Sequence, residues 1–226
     1  MPRFLSLPIC LPLLAVALLA QTSPHAIQAV GSATISVNPD QAKLSVGVVT
    51  QGATAQDAGQ QNATLTTTVI NALKGALGTA GTIQTISYSI SPRYSTTAGQ
   101  TATIIGYTAS NTVQVTTTAL SLIGRLIDTA NQAGANNVGN LSFSLQNPEP
   151  LTEQALSQAA KQAQAHASAI AAGLGARTGV VISAQEGASV TPMAVTGVLA
   201  AAPTTPIQTG TVSVTASVTI NVQLIQ

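Results

Sequence analysis

The sequence predicts an α+β protein, in which an antiparallel or mixed β-sheet is packed by about three helices. In several short segments apolar residues alternate with Ser, Thr, Asn or Gln, which is the two-residue period of a half-buried strand. Three longer segments instead carry apolar residues three and four positions apart, the spacing of a helix that lies on a sheet. Strand pairs followed by helices are typical of the α+β class. The early elements also resemble a half-unit that later elements repeat, so an internally duplicated unit stays open as an alternative.

The first half of the chain combines two strand pairs with one helix. The predicted strands cover residues 33–37, 42–48, 83–94 and 103–117, and the helix covers 54–78. Thr54 can cap this helix, Asp57 suits its positive end, and Gly78 can end it. A polar hairpin loop is predicted at 96–101. The helix is predicted to bury Leu65, Val69, Leu73 and Leu77, and the third strand to present Ile86, Tyr88 and Ile90 on one face.

The second half is organised around residues 134–175, which contain the only Phe after Phe4 and the longest predicted helix. The predicted elements are a helix at 120–133, a strand at 141–145, a helix from about residue 149, and strands at 179–185 and 212–224. Gly173 and Gly175 are predicted to end the long helix. Its buried stripe is predicted to consist of Leu156, Ala159, Ala160, Ala163, Ala167, Ile170, Ala171 and Leu174. Residues 191–206 carry no period and are predicted to form a flexible loop.

The N-terminal residues are typical of an export signal. Arg3 supplies the positive start, residues 5–20 are mostly apolar, and small residues follow. We therefore expect a signal peptide at 1–20, with the cleavage position open between 17 and 29, and a single domain at 30–226. The apolar run is short and contains two prolines, which disfavours a retained membrane span. Cys10 lies in this leader, so the exported chain would contain no cysteine.

The composition narrows the classes of partner. Hydrophobic residues make up 45% of the 226 residues, which is enough for a packed core, but charged residues make up only 6% and aromatic residues 2%. Nucleic acid is not expected as a partner, because phosphate binding needs basic clusters and base stacking needs aromatic rings. No later segment is long enough to predict a transmembrane helix. A nearly uncharged surface repels its own copies weakly, which favours a homo-oligomer.

No group of residues predicts a catalytic, cofactor-binding or metal site. His25 lies near the leader, and His166 is interpreted as a histidine at the boundary of the long helix, with its ring partly packed. The segment Gly173–Gly179 follows a helix, so it is interpreted as a helix end and not as a phosphate loop. Tyr88 and Tyr107 are predicted to lie in the core and Tyr94 on the surface. The carboxylates are dispersed along the chain at Asp40, Asp57, Asp128, Glu149, Glu153 and Glu186.

Several stretches taken together resemble the SIMPL-domain family of exported bacterial proteins. They are NPDQAKLSVGVVTQGATAQDA at 38–58, IQTISYSISPRY at 83–94, GYTASNTVQV at 106–115, LIGRLIDTANQAGANNVGNLSFSL at 122–145, the Ala-rich helix, and TGTVSVTASVTINVQL at 209–224. The resemblance implies a compact α+β domain, export, a tendency to form ring-like oligomers and, in some members, a contribution to stress tolerance. It implies no enzymatic activity and no cofactor. His166 departs from the family, where Lys is commoner at this position.

These observations predict a non-enzymatic envelope protein that is periplasmic or associated with the outer membrane and assembles with itself. The strands at 103–117 and 212–224 lack Pro and Lys, the usual protections of a free sheet edge, so either strand is a candidate for pairing between copies if it lies at an edge. Peripheral association with the outer membrane stays open. The alternative is a monomeric periplasmic module that binds a small apolar or envelope ligand.

Overall fold

The computed structural model describes residues 25–95, 101–191, 193–194 and 206–226. The predicted signal peptide at 1–20 and most of the predicted loops at 96–101 and 191–206 lie outside these residues. The strands are β1 (Ala26–Val37), β2 (Gln41–Gly52), β3 (Gly81–Tyr94), β4 (Ile104–Thr117), β5 (Asn137–Ser144), β6 (Arg177–Thr191), β7 (Met193–Ala194) and β8 (Val212–Ile225). The helices are α1 (Ala55–Leu77), α2 (Ile123–Gln132), preceded by a 3₁₀ turn at Leu120–Leu122, and α3 (Glu149–Gly173).

The strands form two antiparallel sheets, which confirms the predicted α+β class. One sheet has the order β1–β8–β6, and the other has the order β3–β4–β2–β5–β7. Every described strand pair is antiparallel. Strand β1 begins at Ala26, earlier than predicted, and it buries Ile27 and Ala29 in the core. Signal cleavage beyond Ala26 would therefore remove core residues.

The five-stranded sheet packs against α1 and α2 in the predicted way. Thr54 Oγ1 accepts a hydrogen bond from the Asp57 amide at 3.1 Å, which caps α1 as expected. Gly78 ends the helix with φ of 58°, a conformation that favours glycine. The core between these elements contains Leu44, Val46, Val48, Val69, Leu73, Leu77, Val113, Val115, Leu126 and Ala130.

Helix α3 packs on the three-stranded sheet through alanines, and this corrects the predicted stripe. The buried positions are Ala155, Ala159, Ala163, Ala167 and Ala171, at intervals of four. Ile170 and Leu174 were predicted to be buried, yet 44% of Ile170 and 66% of Leu174 is exposed. The reason is close approach, because a Cβ on Gly31 of β1 would overlap the Ala159 carbonyl and the Ala163 amide. Only small side chains fit between a helix and a strand this close together.

The positions of the strands in the two sheets correct the predicted edges. Strand β8 lies between β1 and β6, and β4 lies between β3 and β2, so neither of the two candidate strands lies at an edge. Interior strands need no edge protection, since neighbours pair with both of their sides, and this explains the absence of Pro and Lys. The long edge strands are β1 and β6 in the smaller sheet and β3 in the larger sheet.

Candidate functional site

The most exposed long element is β6, an edge strand of the three-stranded sheet. Every residue from Val180 to Thr191 is exposed, and the exposed fraction of Val180 is 69%. Helix α3 buries its alanines against β1 and β8, so most of β6 projects beyond the cover of the helix. The register with β8 shifts between Thr178 and Ser183 and is regular from Ser183 to Thr191. A regular, uncovered edge results, with no Pro or Lys in it.

Strand β3 is the exposed edge of the five-stranded sheet. Its residues from Gln84 to Tyr94 are all exposed. A bulge at Ile86 interrupts the register with β4. Tyr88 is 55% exposed, so the prediction that Tyr88 lies in the core was wrong, whereas Tyr94 is exposed as predicted and Tyr107 is half-buried. The prediction failed because alternation along a strand does not show whether a helix covers that strand.

The remaining long edge, β1, is contacted by side chains of α3. Gln162 Oε1 accepts a hydrogen bond from the Ser32 amide at 2.6 Å, and His166 Nδ1 lies 2.7 Å from the Val30 carbonyl oxygen. Because a carbonyl only accepts, the His166 Nδ1–H is the donor. The ring is exposed and bonded to backbone, and not partly packed as interpreted from the sequence. This arrangement gives His166 a structural contact.

A groove of about 400 Å³ lies between α2 and β5. A bulge in β5 lies at this groove, where Asn140 and Leu141 are both opposite Leu44 of β2, and Asn140 has the unusual φ of 49°. The groove has no charged residue in its lining, which consists of Leu44, Ile127, Asn131, Asn136, Val138, Gly139, Asn140, Leu141, Pro206 and Ile207. The Asn136 amide is already engaged, because it exchanges two hydrogen bonds with the Val49 backbone at 2.8 and 2.7 Å. The groove suits a small uncharged molecule.

Asn62 is a buried polar residue that the sequence analysis did not identify as structural. Its Nδ2 donates to the carbonyls of Val48 and Ala109 at 2.8 and 3.2 Å, and its Oδ1 accepts from Thr66 at 3.3 Å. The side chain thereby joins α1 to two neighbouring strands of the larger sheet. In the sequence, Asn62 follows the SIMPL-like stretch at 38–58 and lies one helical turn before Thr66. Neither position distinguishes it from a surface residue.

The titratable residues considered in the sequence form no metal-binding group in the part of the chain that the structure describes. No three His, Cys, Asp or Glu side chains there lie close enough to hold a metal ion. Gly175, with φ of 71°, follows the last turn of α3, which agrees with the interpretation of this segment as a helix end. That the protein has no catalytic, cofactor-binding or metal-binding residue stays a prediction.

Comparison with known proteins identifies the family. A model of the SIMPL family, described as a protein of unknown function (DUF541), matches residues 27–222. The chain belongs to the SIMPL family. Two similar relatives are the 26 kDa periplasmic immunogenic proteins of Brucella melitensis biotype 1 and of Brucella abortus strain S19. Each is 29% identical over 142 residues, which cover 61% of this chain and 57% of the relative.

These findings confirm the predicted SIMPL resemblance and the predicted periplasmic location. The match covers little more than half the length of each relative. Within the described residues of this SIMPL protein, no helix has the length and apolar character needed to cross a membrane.

Proposed function

We propose that this SIMPL protein is a non-enzymatic envelope protein whose copies assemble by adding strands at uncovered sheet edges. The observation that carries the proposal is β6, which pairs with β8 on one side and is exposed from Val180 to Thr191. An edge strand of this kind presents a row of unpaired N–H and C=O groups. A second extended strand satisfies these groups directly, which is the general mechanism of β-strand addition.

The charges of the exposed edges favour a second copy of the chain as the partner. Glu186 is the only acidic residue of β6, and Arg93 is the only charged residue of β3. Strand β6 also carries Arg177, so its pairing with β3 or with β6 of another copy allows opposite charges to face each other. The formal net charge of the whole chain is +1, so repulsion between copies is weak. Contacts between unlike surfaces build rings or filaments.

Two lysines on β6 should therefore weaken assembly without unfolding the subunit. In the Gln185→Lys/Ser189→Lys variant, both new charges lie on the exposed edge strand, where lysine disfavours pairing with a further strand. We expect the variant to sediment as smaller species than the unmodified protein purified from the envelope, with an unchanged circular dichroism spectrum.

The matched control places the same two changes on β1. Gln28→Lys/Ser32→Lys has the same residue types, the same spacing and exposed positions on the opposite edge of the same sheet. It should sediment like the unmodified protein. Equal loss of assembly in both variants would show that added charge, and not the β6 edge, controls association.

The biological role that accompanies assembly is proposed to be a general contribution to envelope integrity or stress tolerance. The support is the family resemblance, which implies a contribution to stress tolerance in some members. Survival of a deletion strain under peroxide and envelope stress tests this role, and survival equal to that of the parent strain would remove it.

A second candidate function is binding of a small uncharged apolar ligand in the groove between α2 and β5. It is favoured by the groove volume of about 400 Å³ and the neutral lining, since ligand pockets of this size are mostly apolar with few polar groups. N-phenyl-1-naphthylamine, an uncharged fluorophore, should bind with increased fluorescence. Gly139→Phe should abolish the increase, because a Cβ at Gly139 meets no neighbour and the ring has space to fill the groove.

The matched control for this binding test is Gly187→Phe, which places the same ring on exposed β6. It should leave the fluorescence increase unchanged. Fluorophore binding that is equal in both variants and the unmodified protein would rule out the groove as the site.

A further inference from the structure

We propose that α3 closes the β1 edge of the three-stranded sheet and so directs strand addition to the opposite edge, β6. The closure of β1 is independent of the proposed assembly, whereas the direction of strand addition rests on it. It concerns which of the two edges of one sheet is available to a second copy of the chain. The two edges differ in a way that individual hydrogen bonds reveal.

The closing contacts come from two residues one helical turn apart on α3. Gln162 accepts from the Ser32 amide, and His166 donates to the Val30 carbonyl oxygen. Gln162 and His166 are separated by four positions, so their side chains lie on the same flank of the helix. Val30 and Ser32 are separated by two positions, so their backbone groups point to the same side of the strand. One flank of α3 therefore hydrogen-bonds to the backbone groups on one side of β1.

That side of β1 is the free edge. The pairing with β8 matches Val30 to Thr219, Gly31 to Val218 and Ser32 to Ser217. In an antiparallel ladder, alternate residues direct their backbone groups to the partner and the others direct them away. Because the Val30 oxygen and the Ser32 amide bond to α3, they are the groups directed away from β8. These are the groups that an added strand would use.

An added strand would thus have to break both side-chain contacts before pairing with the middle of β1. The alanine stripe also holds α3 close to β1, where Gly31 leaves no room for a Cβ. The helix cannot move aside without losing that packing. On β6, by contrast, no side chain of α3 hydrogen-bonds to the strand within the described part of the chain, and residues Val180–Thr191 are exposed. The small sheet has one closed edge and one open edge.

Removing both contacts should open β1. In the Gln162→Ala/His166→Ala variant we expect the Ser32 amide to exchange with deuterium about tenfold faster, the effect of losing one hydrogen bond. We also expect species heavier than those of the unmodified protein in sedimentation, since a second edge of the sheet becomes available. Alanine favours helix, so α3 itself is expected to remain folded.

Two controls separate the edge contacts from general changes in α3. Gln158→Ala makes the same change one turn earlier on the same flank, at an exposed residue. It should alter neither the deuterium exchange of the Ser32 amide nor the mass of the sedimenting species. His166→Gln keeps a side-chain N–H donor and should behave like the unmodified protein.

The outcomes distinguish this inference from the proposed assembly. An unmodified protein that is monomeric contradicts the assembly proposal, yet faster Ser32 exchange and new association in Gln162→Ala/His166→Ala would still support closure of β1. Unchanged Ser32 exchange, or unchanged mass in the double variant, would overturn the inference.

Discussion

Gly31→Ala is expected to lower the free energy of unfolding by about 3 kcal/mol or more, the upper range for overpacked sites. The added Cβ would overlap the backbone of α3 at the Ala159 carbonyl and the Ala163 amide. Backbone atoms of a helix cannot rotate away as a side chain can, so the whole helix must shift on the sheet. Urea denaturation monitored by circular dichroism measures the change.

Gly139→Ala on β5 is the matched control for this substitution. It is the same change on a strand, but the added Cβ would meet no atom within 4 Å. We expect unfolding free energy that is unchanged or slightly higher, because alanine restricts the unfolded chain more than glycine does. Similar stability of the Gly31→Ala and Gly139→Ala variants would contradict the close approach of α3 to β1.

Phe143→Ala should have a comparable effect, lowering the free energy of unfolding by about 3–5 kcal/mol. Phe143 is fully buried and packs with Ala42 and Ile123, with Leu141 and Ile207 at the margin of the same cluster. Truncation leaves a cavity that the backbone of the sheet cannot collapse to fill. The midpoint of urea unfolding reports the loss of stability, provided that the m-value is the same in both proteins.

An exposed aromatic residue supplies the comparison. Tyr94→Ala removes a ring that is 52% exposed, and surface changes of this kind usually alter stability by less than about 0.5 kcal/mol. Phe143→Leu should lie between the two, because leucine retains much of the buried volume. A small effect of Phe143→Ala would contradict a large contribution of this buried ring to the cluster that contains Ala42 and Ile123.

Most elements of the fold follow from periodicity in the sequence. The alternation in β8 places Val212, Val214 and Ala216 in the core, and the stripe of α1 buries Val69, Leu73 and Leu77 as predicted. Local chemistry was also sufficient for the helix ends, since Thr54, Gly78 and Gly175 act where their types predict. These features depend on neighbours along the chain, which is the information a sequence pattern contains.

The buried face of α3 could not be predicted from periodicity. Periodicity favours burial of the largest apolar residues, so Ile170 and Leu174 were assigned to the core. The structure buries alanines because the distance between α3 and β1 is set by Gly31, a residue more than a hundred positions away. Replacement of the exposed Ile170 by Asp would accordingly not place a charge in the core. Leu156, which is half-buried between two clusters, remains a core contact.

The candidate site was the least predictable part. Edge positions depend on the order of strands in space, so the sequence could not show that β6 is open, β3 exposed and β1 closed by Gln162 and His166. The sequence did indicate weak repulsion between copies, since only 6% of the residues are charged. Association therefore stays a prediction. The sequence named β4 and β8 as the pairing strands if either lay at an edge, and both are interior strands.

Sedimentation velocity of the unmodified protein, purified from the cell envelope and measured at micromolar concentration, tests the central claim most directly. Assembly through β6 predicts a discrete species several times heavier than a single chain, which becomes lighter in Gln185→Lys/Ser189→Lys and not in Gln28→Lys/Ser32→Lys. A species with the mass of a single chain would contradict self-assembly and leave ligand binding in the groove between α2 and β5 as the better account.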